Sequence, residues 1–389
     1  MTSYSRQTPH VADAHARLTR FLAYLEADPD NPNLLADAAA SAFDAQQFAT
    51  CDELLTRYSA RHELPAALVN LQGLAALAQG NFTAALAAFQ SLDEAHAEPA
   101  VRYNIAYANA MLGRFDEAVA ELEDRVLDAL PCAATLKLRA LHHLGRIDEA
   151  IALGEHYAQS PDCDPELHAA LATALFDTEN LDGARVHAAR APETPDGFTV
   201  RGLLALDEGS AGTAHDLFER ALALNANSGR AMLGAGLALL SQQRFAAAAP
   251  TLDRAAELLK SHAGSWVSAG WAHLFNGELA TARVRFEHAA QIDRGFAEAP
   301  GGLAVVDFHE GRFDEAERNA RIALRLDGAC LSAALAQSLL AEHAGLEQTA
   351  ADIRQAALNR PIGADGQTLA RALARRSSRL NHDNGAGLD

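Results

Sequence analysis

Sixteen histidines, four cysteines and a recurring pair of carboxylates are the side chains of this sequence able to hold a metal or move a proton. His142-His143, His273, His309 and His343 fall in separate segments. Adjacent residues on a helix point about 100° apart, so these imidazoles do not converge on one ion. Cys51, Cys132, Cys163 and Cys330 form no CxxC pair, which argues against a zinc or disulfide framework and for a reducing compartment. The doublets Asp116-Glu117, Asp148-Glu149 and Asp314-Glu315 each open a predicted helix, where carboxylates complement the helix dipole rather than serve as an acid and base pair. No GxxxxGK[ST], GxSxG or HExxH motif occurs. The sequence therefore predicts a non-enzymatic protein with no metal and no cofactor, whose chemistry is recognition. Tyr103, Asn104 and Tyr107 lie within one helical turn and are followed by Arg139, His142 and His143, a set suited to gripping a polar or acidic peptide.

The elements that position these residues must come from an unusual composition. The chain has 389 residues, 49% hydrophobic but only 6% aromatic, and its abundant alanine favours helices packed closely backbone to backbone. A formal charge of −19 excludes the concentrated basic face that nucleic-acid binding needs. No stretch approaches the ~18 apolar residues of a membrane span, and the polar opening MTSYSRQTPH lacks the apolar core of a signal peptide, so a cytoplasmic chain is expected. The Ala- and Arg-rich composition, with only Lys137 and Lys260 as lysines, points to a bacterium with a GC-rich genome.

An internal period organises almost the whole sequence. Three near-identical phrases, Gly113-Arg-Phe-Asp-Glu-Ala118, Gly145-Arg-Ile-Asp-Glu-Ala150 and Gly311-Arg-Phe-Asp-Glu-Ala316, anchor a repeat of about 34 residues. Its units start at positions 32, 66, 99, 131, 165, 195, 229, 263, 297 and 331. The twentieth position of the units is alanine in nine of ten, the exception being Cys51. The eighth is small in all but one, the exception being Leu138. Two small columns twelve residues apart are what two antiparallel helices need where they cross at close range. Position seventeen supplies a large apolar plug, Phe48, Phe82, Phe115, Ile147, Leu181, Phe245, Leu279 and Phe313, and fails only at Ala211 and Glu347.

These columns resemble the tetratricopeptide repeat. The fullest matches are Trp266, Gly270, Ala282, Phe286 and Ala289 in one unit and Gly202, Ala214, Phe218 and Ala221 in another. The resemblance covers residues 32–364 and implies an all-α, right-handed solenoid of about ten helical hairpins, the first helix of each lining a concave groove. Residues 1–31 are expected to hold an N-terminal capping helix, with Val11, Leu18, Phe21, Leu22 and Leu25 on its apolar face. Residues 365–380 are expected to form a C-terminal capping helix, with Leu369 and Leu373 inward, and 381–389 a disordered tail. Pro300-Gly301-Gly302 is expected to delay or bend its helix.

The resemblance places repeat positions 5, 9 and 12 on the groove. In the later units they read Thr199, Leu203, Leu206; Leu233, Leu237, Leu240; Val267, Trp271, Leu274; and Gly301, Val305, Phe308. Two readings of this apolar row stand side by side: burial between neighbouring helices, or a surface for an apolar segment or amphipathic helix of another protein. The Lys and Asn positions of a chaperone-tail clamp are not met. The expectation is a protein-binding scaffold or adaptor, of the kind that stand-alone bacterial relatives supply as adaptors or chaperones in secretion, pilus or exopolysaccharide assembly. Its alternatives are a self-assembling homo-oligomer and a regulator sensing a small peptide or metabolite.

Overall fold

A computed structural model describes residues 8–92 and 98–360. The expected C-terminal helix and tail lie outside them. Among the described residues all regular structure is helical, in 22 helices. The chain divides into two compact units, Met1–Ala174 and Leu175–Asp389.

The first unit opens with α1 (Thr8–Ala27), which packs on α2 (Pro32–Asp44) through the buried Leu18 and Leu25, while Leu22 turns outward. Hairpins follow: α2 with α3 (Phe48–Ser59), then α4 (Ala66–Ala78) with α5 (Phe82–Gln90). In the next, α6 (Pro99–Met111) pairs with a second helix split into α7 (Phe115–Glu121) and α8 (Asp124–Ala129). The break falls at the fully buried Leu122, whose freed carbonyl accepts a hydrogen bond from Lys137 Nζ at 2.7 Å. The hairpin of α9 (Pro131–His143) and α10 (Ile147–Tyr157) comes next, and α11 (Pro165–Asp177) runs across the division between the units.

The second unit continues through α12 (Leu181–Ala188). Its hairpins pair α13 (Pro195–Asp207) with α14 (Ala211–Leu224), and α15 (Gly229–Ser241) with α16 (Phe245–Leu259). They then pair α17 (Ala263–Phe275) with α18 (Leu279–Ile292), α19 (Glu298–His309) with α20 (Phe313–Leu326), and α21 (Leu331–His343) with α22 (Glu347–Leu358).

Local chemistry sets these boundaries. Proline pre-sets the first turn at Pro32, Pro99, Pro131 and Pro195, where a missing N–H costs nothing. Every first helix ends on a left-handed residue. Seven are glycines, Gly80, Gly113, Gly145, Gly209, Gly277, Gly311 and Gly345, and Gln46, Glu179 and Gln243 hold the same place at φ 58°, 61° and 60°. The next N–H returns to the carbonyl five residues back, as Arg312 N does to Asp307 O at 2.9 Å, closing the helix end.

Within a hairpin the small column meets a large one. A Cβ on Gly270 would stand 2.7 Å from Phe286, one on Gly202 2.7 Å from Phe218, and one on Gly236 2.5 Å from Leu252. The departure at Leu138 reverses the same fit: the small partner is Gly154 on the second helix, where a Cβ would lie 2.7 Å from Leu138. α19 begins at Glu298, one residue after the unit start at Ala297, with Pro300 in its first turn. Its glycines admit neighbours, Cys330 and Ser332 against Gly301 and Phe286 against Gly302.

Candidate functional site

In the first unit the predicted polar set is carried by α6 and α9, which lie side by side. Tyr103 stacks on Tyr107 with ring centroids 6.5 Å apart, and Phe82 meets Tyr107 edge-on at 6.3 Å. Burial, then the Cys132 thiol against it, pushes the Tyr103 hydroxyl well above its ordinary range. Tyr103 is thus a neutral hydrogen-bonding group on a half-buried ring. Asn104 is half-buried beside it. Arg139 is held by Glu166 at 3.1 Å, so a carboxylate ligand would have to compete with a resident one. His142 lies 6.5 Å from His143, whose ring stacks on Phe115 at 4.5 Å. Burial, and then the neighbouring His142, push the His143 imidazole below its ordinary value. Among the described residues, no group of three or more His, Cys, Asp or Glu is arranged to hold a metal ion.

In the second unit α13, α15, α17 and α19 pack side by side and carry the apolar row. The structure divides that row by depth. Thr199, Val267 and Gly301, at the fifth positions, are buried. Leu203, Leu206, Leu233, Leu237, Leu240, Trp271 and Leu274 are half-buried and packed against the cores beneath, and Phe308 is half-buried against Phe313. Val305 is a correction to the predicted set. It is 1% exposed and enclosed in the core, because α21 closes against the bare backbone of Gly301 one turn away.

Of the aromatic residues that border this row, the sequence columns missed Phe275 and read Phe245 and Phe313 only as plugs within their hairpins. Phe275 is 51% exposed and stacks on Trp271 at 5.5 Å, with Phe245 against its other side at 5.2 Å. Phe313 packs on Phe308 at 5.6 Å and stacks on His343 at 4.1 Å. The signal for Phe275 was its i, i+4 spacing from Trp271, which puts both on one helix face. It falls one residue past the twelfth position and so outside the columns read.

Two polar networks brace the helices beneath. His273 Nε2 lies 3.0 Å from Asp253 and Nδ1 2.5 Å from Glu278, while Arg285 donates to Asp253 at 2.7 and 3.0 Å. Burial works against the charge on Asp253, but hydrogen bonds from Arg285 and His273 outweigh it and hold the carboxyl below the usual carboxylate range. Hydrogen bonds from His273 and Asn276 do the same for Glu278. Asp307, fully buried, accepts from Arg283 at 2.6 Å, Arg312 at 3.1 Å and Asn319 at 2.7 Å. Both networks tie one hairpin to the next, Asp253 of α16 to His273 and Arg285 of α17 and α18, and Arg283 of α18 to Asp307 of α19, and of their described atoms only Arg283 Nε is left buried without an acceptor.

Comparison with known families agrees with this geometry. Residues 70–134 and 199–263, one stretch in each unit, match the family model described as Tetratricopeptide repeat. The chain is a tetratricopeptide-repeat protein. No curated protein sequence matches it. Among solved structures, this tetratricopeptide-repeat chain is similar to a chain of the APC/C hetero-tetramer Cut9-Hcn1, 13% identical, covering 89% of this chain and 84% of that one with a TM-score of 0.50. It also matches Pseudomonas aeruginosa PilF, 19% identical over 49% of this chain and 88% of that one with a TM-score of 0.41. MamA is 17% identical over 46% and 96%, with a TM-score of 0.34. At these identities the likeness to Cut9 bears on the fold alone. Tetratricopeptide repeats are protein-interaction scaffolds, and no described helix is long and apolar enough to cross a membrane.

Proposed function

We propose that this protein is a non-enzymatic adaptor that holds an amphipathic helix or extended apolar segment of a partner along the half-buried row of its second unit. The observation that carries this is the depth of the row: all four twelfth positions and three of the four ninth keep part of their surface open, three of the four fifth positions are sealed, and Phe275 stands out from the border. A row serving only to join helices would be closed throughout. Each apolar side chain of the partner that the row fully buries contributes roughly 1.5–3 kcal/mol before ordering costs, and each half-buried side chain of the row about half as much, so three or four partner anchors with the row beneath them suffice for micromolar binding. The set around Tyr103, Asn104, Tyr107, Arg139 and His142 would hold a more polar stretch of the same or another partner.

A displayed library of amphipathic helical peptides, selected on the full chain, tests the reading. Enrichment of sequences with apolar residues at i, i+3 or i+4 and i+7, lost on a Phe275→Asp chain, supports it. Enrichment indifferent to Phe275→Asp and Leu237→Asp places binding elsewhere. Within this reading the chain serves in the cytoplasm in assembly of secretion, pilus or exopolysaccharide machinery, which co-purification with such a component would support.

A further inference from the structure

An open cavity of about 430 Å³ borders the apolar row, lined by Gln243, Arg244, Phe245, Ala246 and Ala247 at the start of α16 and by Asn276 at the end of α17. Phe245 joins it to the row, since its ring lies 5.2 Å from that of Phe275, which stacks on Trp271. Arg244 holds the sixteenth place of its repeat, as Arg114, Arg146 and Arg312 do in theirs. Those three are followed by the doublets Asp116-Glu117, Asp148-Glu149 and Asp314-Glu315, whereas Ala246-Ala247 stand after Arg244. Arg146 donates to both oxygens of Glu149, at 2.8 and 2.7 Å, and Arg312 donates to Asp307 at 3.1 Å and to Glu310. In the repeat of Arg244 the places of Glu149, Asp307 and Glu310 are taken by Ala247, Leu239 and Gln242. Arg244 is exposed, has no ion-pair partner among the described residues, and reaches the neutral Gln242 Oε1 at 3.5 Å, the outer limit of a hydrogen bond. The repeat keeps its arginine here and lacks the carboxylates that engage the others.

We propose that this cavity receives an aspartate or glutamate of the partner segment, whose carboxylate takes on Arg244 the place that Glu149 takes on Arg146. The proposal rests on the row as the docking surface and adds the charge that the docked segment bears. A guanidinium presents two parallel N–H groups to a carboxylate, and Arg244 has no resident acid to be displaced, unlike Arg139, which Glu166 holds. The acid nearest the lining is already engaged: Glu278 accepts from Asn276 at 2.6 Å and lies 2.5 Å from His273 Nδ1. Phe275 and the cavity are one side chain apart, so on a helical partner the acid falls three or four residues from the side chain that covers Phe275. On a chain of formal charge −19 an acidic residue gains little elsewhere, which makes a preference for one at a single position diagnostic.

Amphipathic helical peptides selected on the full chain, with every position varied, test it. They should carry Asp or Glu three or four residues from an apolar anchor. Changing that acid to Asn or Gln should weaken binding at least fivefold on wild type and less than twofold on Arg244→Gln. Ala247→Glu, which offers Arg244 a carboxylate from its own helix as Glu149 does for Arg146, should likewise remove the difference while leaving Tm unchanged. Apolar peptides selected without an acid at that place overturn the proposal and leave the row as the docking surface. So does an acid whose replacement weakens binding equally on wild type and Arg244→Gln. Selected peptides that show no apolar periodicity overturn both readings together.

Discussion

Leu138 and Gly154 offer the sharpest test of how these hairpins are held together. Every other fitted pair places the small residue on the first helix and the large one on the second, and this pair is reversed. Leu138 is 1% exposed, so Leu138→Ala should cost about 2–4 kcal/mol, the range for removing a buried leucine. Gly154→Ala puts a Cβ 2.7 Å from Leu138 Cδ1 and 2.9 Å from Leu171 Cδ1. Overpacking of that kind costs about 1–3 kcal/mol, offset by about 1 kcal/mol of helix propensity, for a net loss of about 1 kcal/mol. In the double substitution the closest clash is gone and the new methyl fills part of the vacated space. The two changes should therefore couple favourably by about 1–2 kcal/mol. Urea unfolding of the four chains, followed by circular dichroism, measures this. Additivity within about 0.5 kcal/mol would refute the claim that the two positions are one complementary contact.

Four further outcomes follow from the same structure. Gly311→Ala should lose about 1 kcal/mol although its Cβ would meet open space, because φ is +77°. Gln243→Gly should gain up to about 0.5 kcal/mol by relieving a left-handed side-chain residue, and thermal melts read both. Asp307→Ala should cost about 3–5 kcal/mol in urea unfolding, because it leaves Arg283, Arg312 and Asn319 facing one another without their shared acceptor. The depressed carboxyls of Asp253 and Glu278 contribute stability that is full above their ordinary values of about 4 and is lost as pH falls through their lower folded values. Tm measured from pH 6 down to pH 3 should thus fall less steeply for Asp253→Asn than for wild type.

Much of the fold was legible because one physical problem is solved repeatedly. Where Ala118, Ala150 and Ala316 recur after a Gly-Arg phrase, close crossing and a left-handed helix end demand those residue types, and repetition separates the demand from composition. Single departures were harder to read. Leu138 looked like a defect because its compensation, Gly154, lies in another column. Pro300-Gly301-Gly302 read as a helix disturbance, whereas its glycines serve close approach by α21 and by Phe286 and so bury Val305. The division of α7 from α8 left no mark in the repeat, since Leu122 still fills a core place on either side of the break. For the candidate site, periodicity gave the helix face that carries the row. Depth along that face depends on how closely neighbouring first helices approach, which the periods do not encode.

The central claim, that the partly open row of the second unit holds a partner segment, is tested most directly by titrating a selected amphipathic peptide into wild type and Phe275→Asp, with a thermal melt of each. The half-exposed ring has about half of its burial still to gain, about 1 kcal/mol, and an introduced carboxylate adds a desolvation cost. The account predicts Kd about tenfold or more weaker with Tm essentially unchanged. Equal affinity for both chains, or weakening only in step with a collapse of Tm, would contradict it.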